Sequence, residues 1–346
     1  MTRPMFALAG ALAVGLLLTA VSCSRTETPP TPKPAPAATQ EAGQPWAVGL
    51  PDGALKGLKV GFSQMGSESD WRVAETRSIR EEAQRLGVEL KFSNAEGDQA
   101  KQITALNSFI NQGVDAIILA PKVETGWEPT LKKIRQKKIP VILVDRGIKV
   151  DDPTLYTTLI ASDFIEEGRL AARWLAEKAG GKAKIIQLEG TPGSDPANDR
   201  AAGFKEVIDE HPEMKIIASQ TGDFKQEEGK KVMEAMLKAP YAGEITAVYA
   251  HNDNMALGAI QAIEEAGKKP GKDILVVSID AVKGAFDAMV AGKLNCTVEC
   301  TPLLGPAAFQ AVQQVRGGKA LPRKTVVKDE VFGQSVAKDI IGTRKY

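Results

Sequence analysis

Beyond Leu55 the chain alternates short apolar runs with amphipathic stretches, and that pattern is met by a parallel sheet covered by helices on both faces. The runs occupy residues 58–62, 116–119, 141–144, 184–188, 215–218, 247–250 and 274–277. The stretches between them carry helical faces with proper stops. Ile79, Ala83 and Leu86 lead to Gly87, Ile103, Leu106 and Ile110 to Gly113, and Ile260 and Ile263 to Gly267 and Pro270. The alternation runs for about four units to Asp145, breaks over the turn-rich stretch 148–155, and restarts for about four more to Asp280. That break reads as the boundary between two similar α/β lobes. The length of 346 residues agrees, since single cores stop growing beyond roughly 250–300 residues. No short repeat suggests a solenoid.

The first 53 residues have a different character. Residues 5–21 are uncharged, follow Arg3 and run into Ala20-Val21-Ser22-Cys23, the form of a secretory signal at residues 1–22. As a helix, 5–21 would span roughly 26 Å, short of a ~30 Å hydrocarbon core, so a simple membrane anchor is the lesser reading. Residues 24–53 hold seven prolines and no apolar periodicity, which makes a tether of coil and polyproline II. Its reach lies between ~30 Å and ~90 Å. The placement of Cys23 resembles the lipobox of bacterial lipoproteins, which implies a lipidated new N-terminus on an extracytoplasmic, membrane-tethered protein.

The chain has 44 basic and 43 acidic side chains, and loss of residues 1–22 removes Arg3 and no acid. A chain so near neutrality has no charge excess to hold a polyanion, so nucleic acid is excluded as an expected partner. Three cysteines and two histidines leave little for a disulfide framework or a metal site, and no cofactor motif is present. Cys296 and Cys300, four apart, would lie roughly 13 Å from each other on a strand, beyond the ~7 Å limit for a bridge, so two reduced thiols are expected.

In open α/β sheets ligands bind beyond the carboxyl ends of the strands. There the sequence places Ser63 to Arg72, with Glu68, Ser69, Asp70 and Trp71; then Asp145-Arg146; Glu189 through Asp199-Arg200; Gly222-Asp223-Phe224; His251-Asn252-Asp253-Asn254; and Asp280. Carboxylates, amides and guanidinium forks beside flat apolar faces suit a sugar, whose hydroxyls need donors and acceptors while its C–H face packs on an aromatic. Arginine beside aspartate fixes the fork and supplies both roles. Taken singly, Asp145-Arg146 also reads as a surface ion pair, Asp253 or Asn254 as the cap of a helix beginning near Met255, and Phe224 as core.

These segments together resemble the periplasmic sugar-binding proteins of the ribose-binding type, and most of all the galactofuranose-binding members. The matching stretches are Gly61-Phe62-Ser63-Gln64 with Gly66-Ser67-Glu68-Ser69, Thr125-Gly126-Trp127-Glu128-Pro129, Ser219-Gln220-Thr221-Gly222-Asp223-Phe224, Tyr249-Ala250-His251-Asn252-Asp253, Lys269-Pro270-Gly271-Lys272-Asp273-Ile274-Leu275 and Ser278-Ile279-Asp280. The resemblance implies two Rossmann-like lobes, 54–161 with 302–329 and 162–301 with 330–346, joined by three crossovers at Ala161-Ser162-Asp163, near Cys300-Thr301-Pro302 and near Glu330. It implies a monomeric substrate-binding protein that closes around one monosaccharide, galactofuranose or another furanose or pentose, and presents it to an ABC permease. It assigns ligand contacts to Ser69, Trp71, Arg72, Asp145, Arg146, Arg200, Phe224, Asn252 and Asp280, with Trp71 and Phe224 sandwiching the ring. Asp70, Arg72 and Cys300 depart from the family pattern and bear on which sugar is chosen.

Three alternatives compete. A glycosidase would use Glu68, Asp145 or Asp280, or Cys300 with His251, but there is no nucleophile elbow, Walker loop or HExxH, and arginines beside the carboxylates should keep them ionised, the wrong state for a general acid. A lactose-type repressor would need a DNA-binding helix-turn-helix where the signal and tether stand. A sensor delivering a sugar or furanose-like autoinducer to a membrane receptor would share the fold and the address.

Overall fold

The computed structural model describes residues 49–346, so the signal, Cys23 and residues 24–48 of the tether lie outside the described residues. The chain runs β1 (Lys59–Gln64), α1 (Asp70–Leu86), β2 (Glu89–Asn94), α2 (Gln99–Gln112), β3 (Ala116–Leu119), α3 (Glu128–Gln136), β4 (Val141–Val144) and β5 (Thr158–Ser162). It continues through α4 (Phe164–Lys178), β6 (Lys182–Glu189), α5 (Asp195–Asp209), β7 (Glu213–Thr221), α6 (Gln226–Met236), β8 (Ala247–Ala250), α7 (Asp253–Glu265), β9 (Leu275–Asp280), α8 (Lys283–Val290) and β10 (Cys296–Glu299). The last elements are α9 (Gly305–Arg316), β11 (Lys324–Val327), β12 (Val331–Gly333) and α10 (Gln334–Ile340).

All seven apolar runs fall on strands, and the central ones are apolar throughout because both of their faces are buried. With five further strands they build two six-stranded sheets, ordered β11-β5-β4-β3-β1-β2 and β12-β10-β9-β8-β6-β7. Every pairing is parallel except β10 with the short edge strand β12. The helix stops also behave as their chemistry requires: Gly87 and Gly113 take left-handed conformations after α1 and α2, at φ 73° and 62°. Among the described residues no helix is long and apolar enough to cross a membrane.

The break at 148–155 has another cause than a lobe boundary. β5 follows it and pairs with β4 in the first sheet, Ile142 opposite Thr158. The crossover from β4 to β5 is made of coil and one 3₁₀ turn, Pro153–Leu155, so the helical pattern lapses inside the lobe. The chain first leaves that sheet after Ser162, returns through 300–304 between β10 and α9, and leaves again between β11 and β12. The Ser162 hydroxyl donates to Asp329 Oδ1 at 2.9 Å, tying the first passage to the third. Burial, reinforced by Glu167, pushes Asp329 up to about 9. Cys296 opens β10 and Cys300 lies just past its end; both are buried free thiols.

Helices α4 and α5 cross at glycines. A Cβ on Gly168 would run into the backbone carbonyl of Arg200, and one on Gly203 into that of Ile165. This close crossing draws Arg200 inward. Replacing a helix-interior glycine by alanine ordinarily gains about 0.5–1 kcal/mol. Gly168→Ala should instead lose about 1–3 kcal/mol through overpacking and lower the Tm by roughly 3–10 °C; a raised Tm in thermal melts would show that the helices separate without cost.

Candidate ligand-binding site

The nine residues selected from the sequence converge on one cleft, with about 280 Å³ of space between atoms, open solvent included, of which about 20 Å³ admits a water-sized sphere. Ser69, Trp71 and Arg72 come from the β1–α1 junction, Asp145 and Arg146 from the end of β4, Arg200 from α5, Phe224 from the β7–α6 turn, Asn252 from the end of β8 and Asp280 from the end of β9. Glu68, Pro196 and Cys300 complete the lining. Three of these residues hold left-handed backbone without being glycine: Asp145 at φ 61°, Phe224 at 60° and Asp280 at 124°. Each such residue costs roughly 1–3 kcal/mol and persists only where its surroundings enforce it, a pattern that gathers at ligand sites.

On the first sheet's side Arg72 is held by three carboxylates: Glu68 Oε1 at 3.2 Å, Glu75 Oε2 at 2.5 Å and Asp145 Oδ2 at 2.6 Å. Burial opposes its charge, yet Asp145, Glu75 and Glu68 together hold its pKa well above the ordinary value. Arg146 is held more loosely. It donates to the Lys122 carbonyl at 3.0 Å, while Asp145 lies 3.5 Å and Glu68 3.9 Å from its nitrogens, and its buried Nε has no hydrogen-bond partner. Its guanidinium lies over the Phe224 ring, 5.3 Å from the centroid. The Asp145-Arg146 pair is therefore buried, and the surface ion-pair reading fails. Ser69 caps α1 by accepting from Arg72 N, and Trp71 donates its indole N–H to the Cys300 carbonyl at 2.5 Å, leaving only the ring faces for packing.

On the second sheet's side Arg200 donates to Glu167 Oε2 at 2.6 Å and to the His251 carbonyl at 2.7 Å, with Asp280 Oδ1 3.7 Å away. Burial pushes Asp280 well above the usual carboxylate range despite Arg200. The expectation that arginine neighbours keep the carboxylates ionised is opposed at Asp280 by burial, which outweighs the attraction of Arg200 3.7 Å away. Asn252, rather than Asp253 or Asn254, caps α7: its Oδ1 accepts from Met255 N at 3.0 Å and its Nδ2 donates to the Phe224 carbonyl at 3.1 Å. Asp253 is buried behind it, accepting from Ser278, from Thr297 Oγ1 at 2.8 Å and from Val282 N at 2.8 Å. The thiol–imidazole reading fails on electrostatics. Burial and Arg200 push His251 down to about 3, and burial pushes the Cys300 thiol up, so both groups are neutral at pH 7.

Contacts between the two sides close the rim. Gly147 N donates to Asp195 Oδ2 at 2.7 Å, Asn198 to Glu124 Oε2 at 2.8 Å, Glu124 N to the Gly193 carbonyl at 3.0 Å, and Asp70 N to Asn254 Oδ1 at 3.3 Å. Sequence reasoning omitted Glu75 and Glu167, the carboxylates that orient Arg72 and Arg200. Their signal was a charged residue on the buried face of an amphipathic helix, Glu75 three positions after Arg72 and Glu167 beside Phe164 and Ala171.

Glu75 gives a measurable consequence. Burial, partly offset by Arg72 and increased by Asp145, raises it from 4.5 to about 7. The folded protein then keeps a proton that the unfolded chain has lost, so the Glu75 contribution to stability is full below about pH 4.5 and falls as pH rises toward 7. Glu75→Gln keeps an acceptor for Arg72 and Gln64 and removes that fall, worth on the order of 3 kcal/mol. Thermal melts between pH 4.5 and 7.5 should show a shallower decline for the variant than for the wild type; parallel profiles would place the proton elsewhere.

Residues 60–320 match the periplasmic binding protein domain family. The galactofuranose-binding protein YtfQ of Escherichia coli (strain K12) is 47% identical over 291 residues, 83% of this chain and 92% of the relative. Among solved structures, the periplasmic binding component of the arabinose ABC transporter from Shewanella sp. ANA-3, bound to α- and β-L-arabinofuranose, is 51% identical with a TM-score of 0.81, covering 83% of this chain and 95% of that one. A Mycobacterium smegmatis protein in complex with β-D-fucofuranose is 49% identical with a TM-score of 0.81, covering 84% and 95%. With its two sheets, parallel but for the edge strand β12, and the cleft between them, the chain belongs to the periplasmic binding protein domain family, in the two-lobed class of the ribose-binding type.

Proposed function

We propose that this protein binds a monosaccharide in furanose form between its lobes and presents it to the permease of an ABC importer. The observation that carries the reading is the convergence of three buried guanidinium groups, their carboxylates and the Phe224 ring, drawn from both sheets, on one cleft. A furanose offers hydroxyls around a small ring, and Arg146 and Arg200 face it with donors that the protein leaves partly unspent. Asp145 and Asp280 accept hydrogen bonds from the sugar hydroxyls; Phe224 and the face of Trp71 pack the C–H surface. Ser69, Arg72 and Asn252 line the site with their protein hydrogen bonds already made, so their main part is to hold its shape. The names of the relatives, two of them bound to furanoses and one a galactofuranose binder, support the ring form.

Lobes of residues 54–161 with 302–329 and of 162–301 with 330–346 rotate about the three passages, and a sugar touching both favours the closed form that a permease reads as one surface. The protein works as a monomer outside the cytoplasm, held by a lipid on Cys23 and the proline-rich tether, and returns its ligand chemically unchanged.

Titration calorimetry and thermal shift against pentoses and hexoses, methyl furanosides included, test this. A ligand at ~100 times Kd should raise the Tm by roughly 5–10 °C. Arg146→Ala and Asp280→Ala should each weaken binding about 100-fold or more while the protein still melts cooperatively. No response to any sugar, or unchanged affinity in both variants, would remove these residues from a sugar site.

A further inference from the structure

Two of the rim contacts between the sheets use carboxylates, and the two differ in how their oxygens are met. Glu124 Oε2 accepts from Asn198 and from Lys149, each at 2.8 Å. Asp195 opens α5 and accepts from Gly147 N at 2.7 Å through Oδ2 alone; its Oδ1 is shut off from solvent and has no hydrogen-bond partner. An ionised oxygen left in that position costs more than a neutral one. The approach is close because position 147 is glycine: a Cβ there would come within 2.9 Å of Asp195 Oδ2. Gly147 directly follows Arg146, whose own N–H turns back to the Val144 carbonyl at 2.7 Å. The Asp195 bond therefore holds the outgoing end of the turn from which Arg146 enters the cleft.

The charges facing Asp195 nearly offset one another. Asp145 and Arg146 stand at the end of β4, Lys149 follows them and is paired with Glu124, and Asp199 lies one turn along α5. Burial then decides: with Asp145 and Asp199 adding to it and the Gly147 bond and Arg146 opposing it, burial pushes Asp195 up from 3.8 to about 8. Separating the two sides would return the same carboxyl to water at the N-terminal end of α5, where hydration and the helix dipole both favour the charged form.

We propose that Asp195 is a positioning residue for the sugar site: it draws the second lobe onto the Arg146–Gly147 turn with its carboxyl neutral, so that closure around a ligand takes up a proton there. The proposal rests on the reading of the cleft as a furanose site that closes by movement of the lobes. A carboxyl that holds its proton more tightly in the closed form favours closure most fully below the ordinary 3.8, and that contribution is lost as pH rises toward about 8. Ligand affinity falls with it.

Titration calorimetry on the mature chain with methyl arabinofuranoside and methyl galactofuranoside, in pairs of buffers of unlike ionisation enthalpy, counts the protons. At about pH 6 the wild type should take up about one proton more per bound ligand than Asp195→Asn, which keeps an acceptor for Gly147 N and cannot ionise. Between about pH 5 and 7, wild-type affinity should fall about tenfold per pH unit relative to that variant. Gly147→Ala, which displaces the carboxyl from the turn, should weaken binding about fivefold at about pH 5 and remove most of the proton uptake. Equal uptake in the wild type and Asp195→Asn, an affinity ratio between them that does not change with pH, or wild-type behaviour of Gly147→Ala would overturn the proposal and leave the sugar site standing. Binding of neither furanoside would remove the sugar site, and the part of Asp195 in it.

Discussion

Three guanidinium groups are buried where two sheets meet, and that placement constrains the surrounding structure. A charge taken out of water must be paired closely or it is strongly destabilising. Arg72 and Arg200 are paired by carboxylates from helices on the cleft's flanks, Glu75 and Glu167, at 2.5 and 2.6 Å. Arg146 has no such partner, only a carbonyl and two carboxylates at 3.5 Å or more. The cleft therefore holds two arginines that the protein has fixed and one that it has left underused. Five carboxyls stand against these three arginines. Burial pushes Glu75, Glu167 and Asp280 toward the neutral form, which brings the cleft near electrical balance. A site so balanced suits a neutral ligand rich in hydroxyls better than an anion.

Holding side chains at strand ends requires backbone that turns sharply, and the strain is met by the layer behind. Asp145 sits at positive φ while its N–H bonds the Ile160 carbonyl at 2.9 Å and the next N–H returns to Val144 at 2.7 Å. The turn after Asp280 is fixed by Asp253, which gathers Ser278, Thr297 and Val282 N into one buried knot, while Ala281 N donates to Thr297 Oγ1 at 3.1 Å. Burial raises Asp253 to about 6 even with these donors around it. The knot is costly and does no work on a ligand; its effect is to aim Asp280 into the cleft. The Gly168 and Gly203 crossing does the same for Arg200 by letting α4 and α5 approach until Glu167 and Arg200 meet.

Apolar continuity made the central strands readable, because residues buried on both faces have no reason to alternate. β2, at an edge, reads Glu-Leu-Lys-Phe-Ser-Asn and carries no such run; β5 is interrupted by threonine and serine at its ends. The 148–155 break misled because a crossover of coil looks, in sequence, like the gap between lobes. The site was legible for a topological reason: loops after parallel strands must converge, so polar residues placed there converge with them. What did not show was the upward push of burial on Asp280 and the capping by Asn252. Both depend on how deep each group lies and which third group it faces, and spacing along the chain carries neither.

The rim contacts bear on how such a cleft can work. They are few, and most use a backbone N–H or carbonyl: Gly147 to Asp195, Glu124 to Gly193, Asp70 to Asn254. Bonds of this kind exchange with water at little net cost, about 0.5–1.5 kcal/mol each. They can register one lobe against the other without locking them, whereas the buried arginine pairs within each lobe are too costly to break. The molecule thus separates two tasks. Each half of the site is fixed inside its own lobe, Arg72 with Glu75 and Asp145 on one side and Arg200 with Glu167 on the other. Across the gap the charged partners stay loose, and Arg146 reaches over only to the face of Phe224. On the proposed function, a ligand that engages the unpaired donors of Arg146 and Arg200 together would supply the cross-lobe bonding that the protein itself makes only weakly, and selection for that ligand would act through the difference.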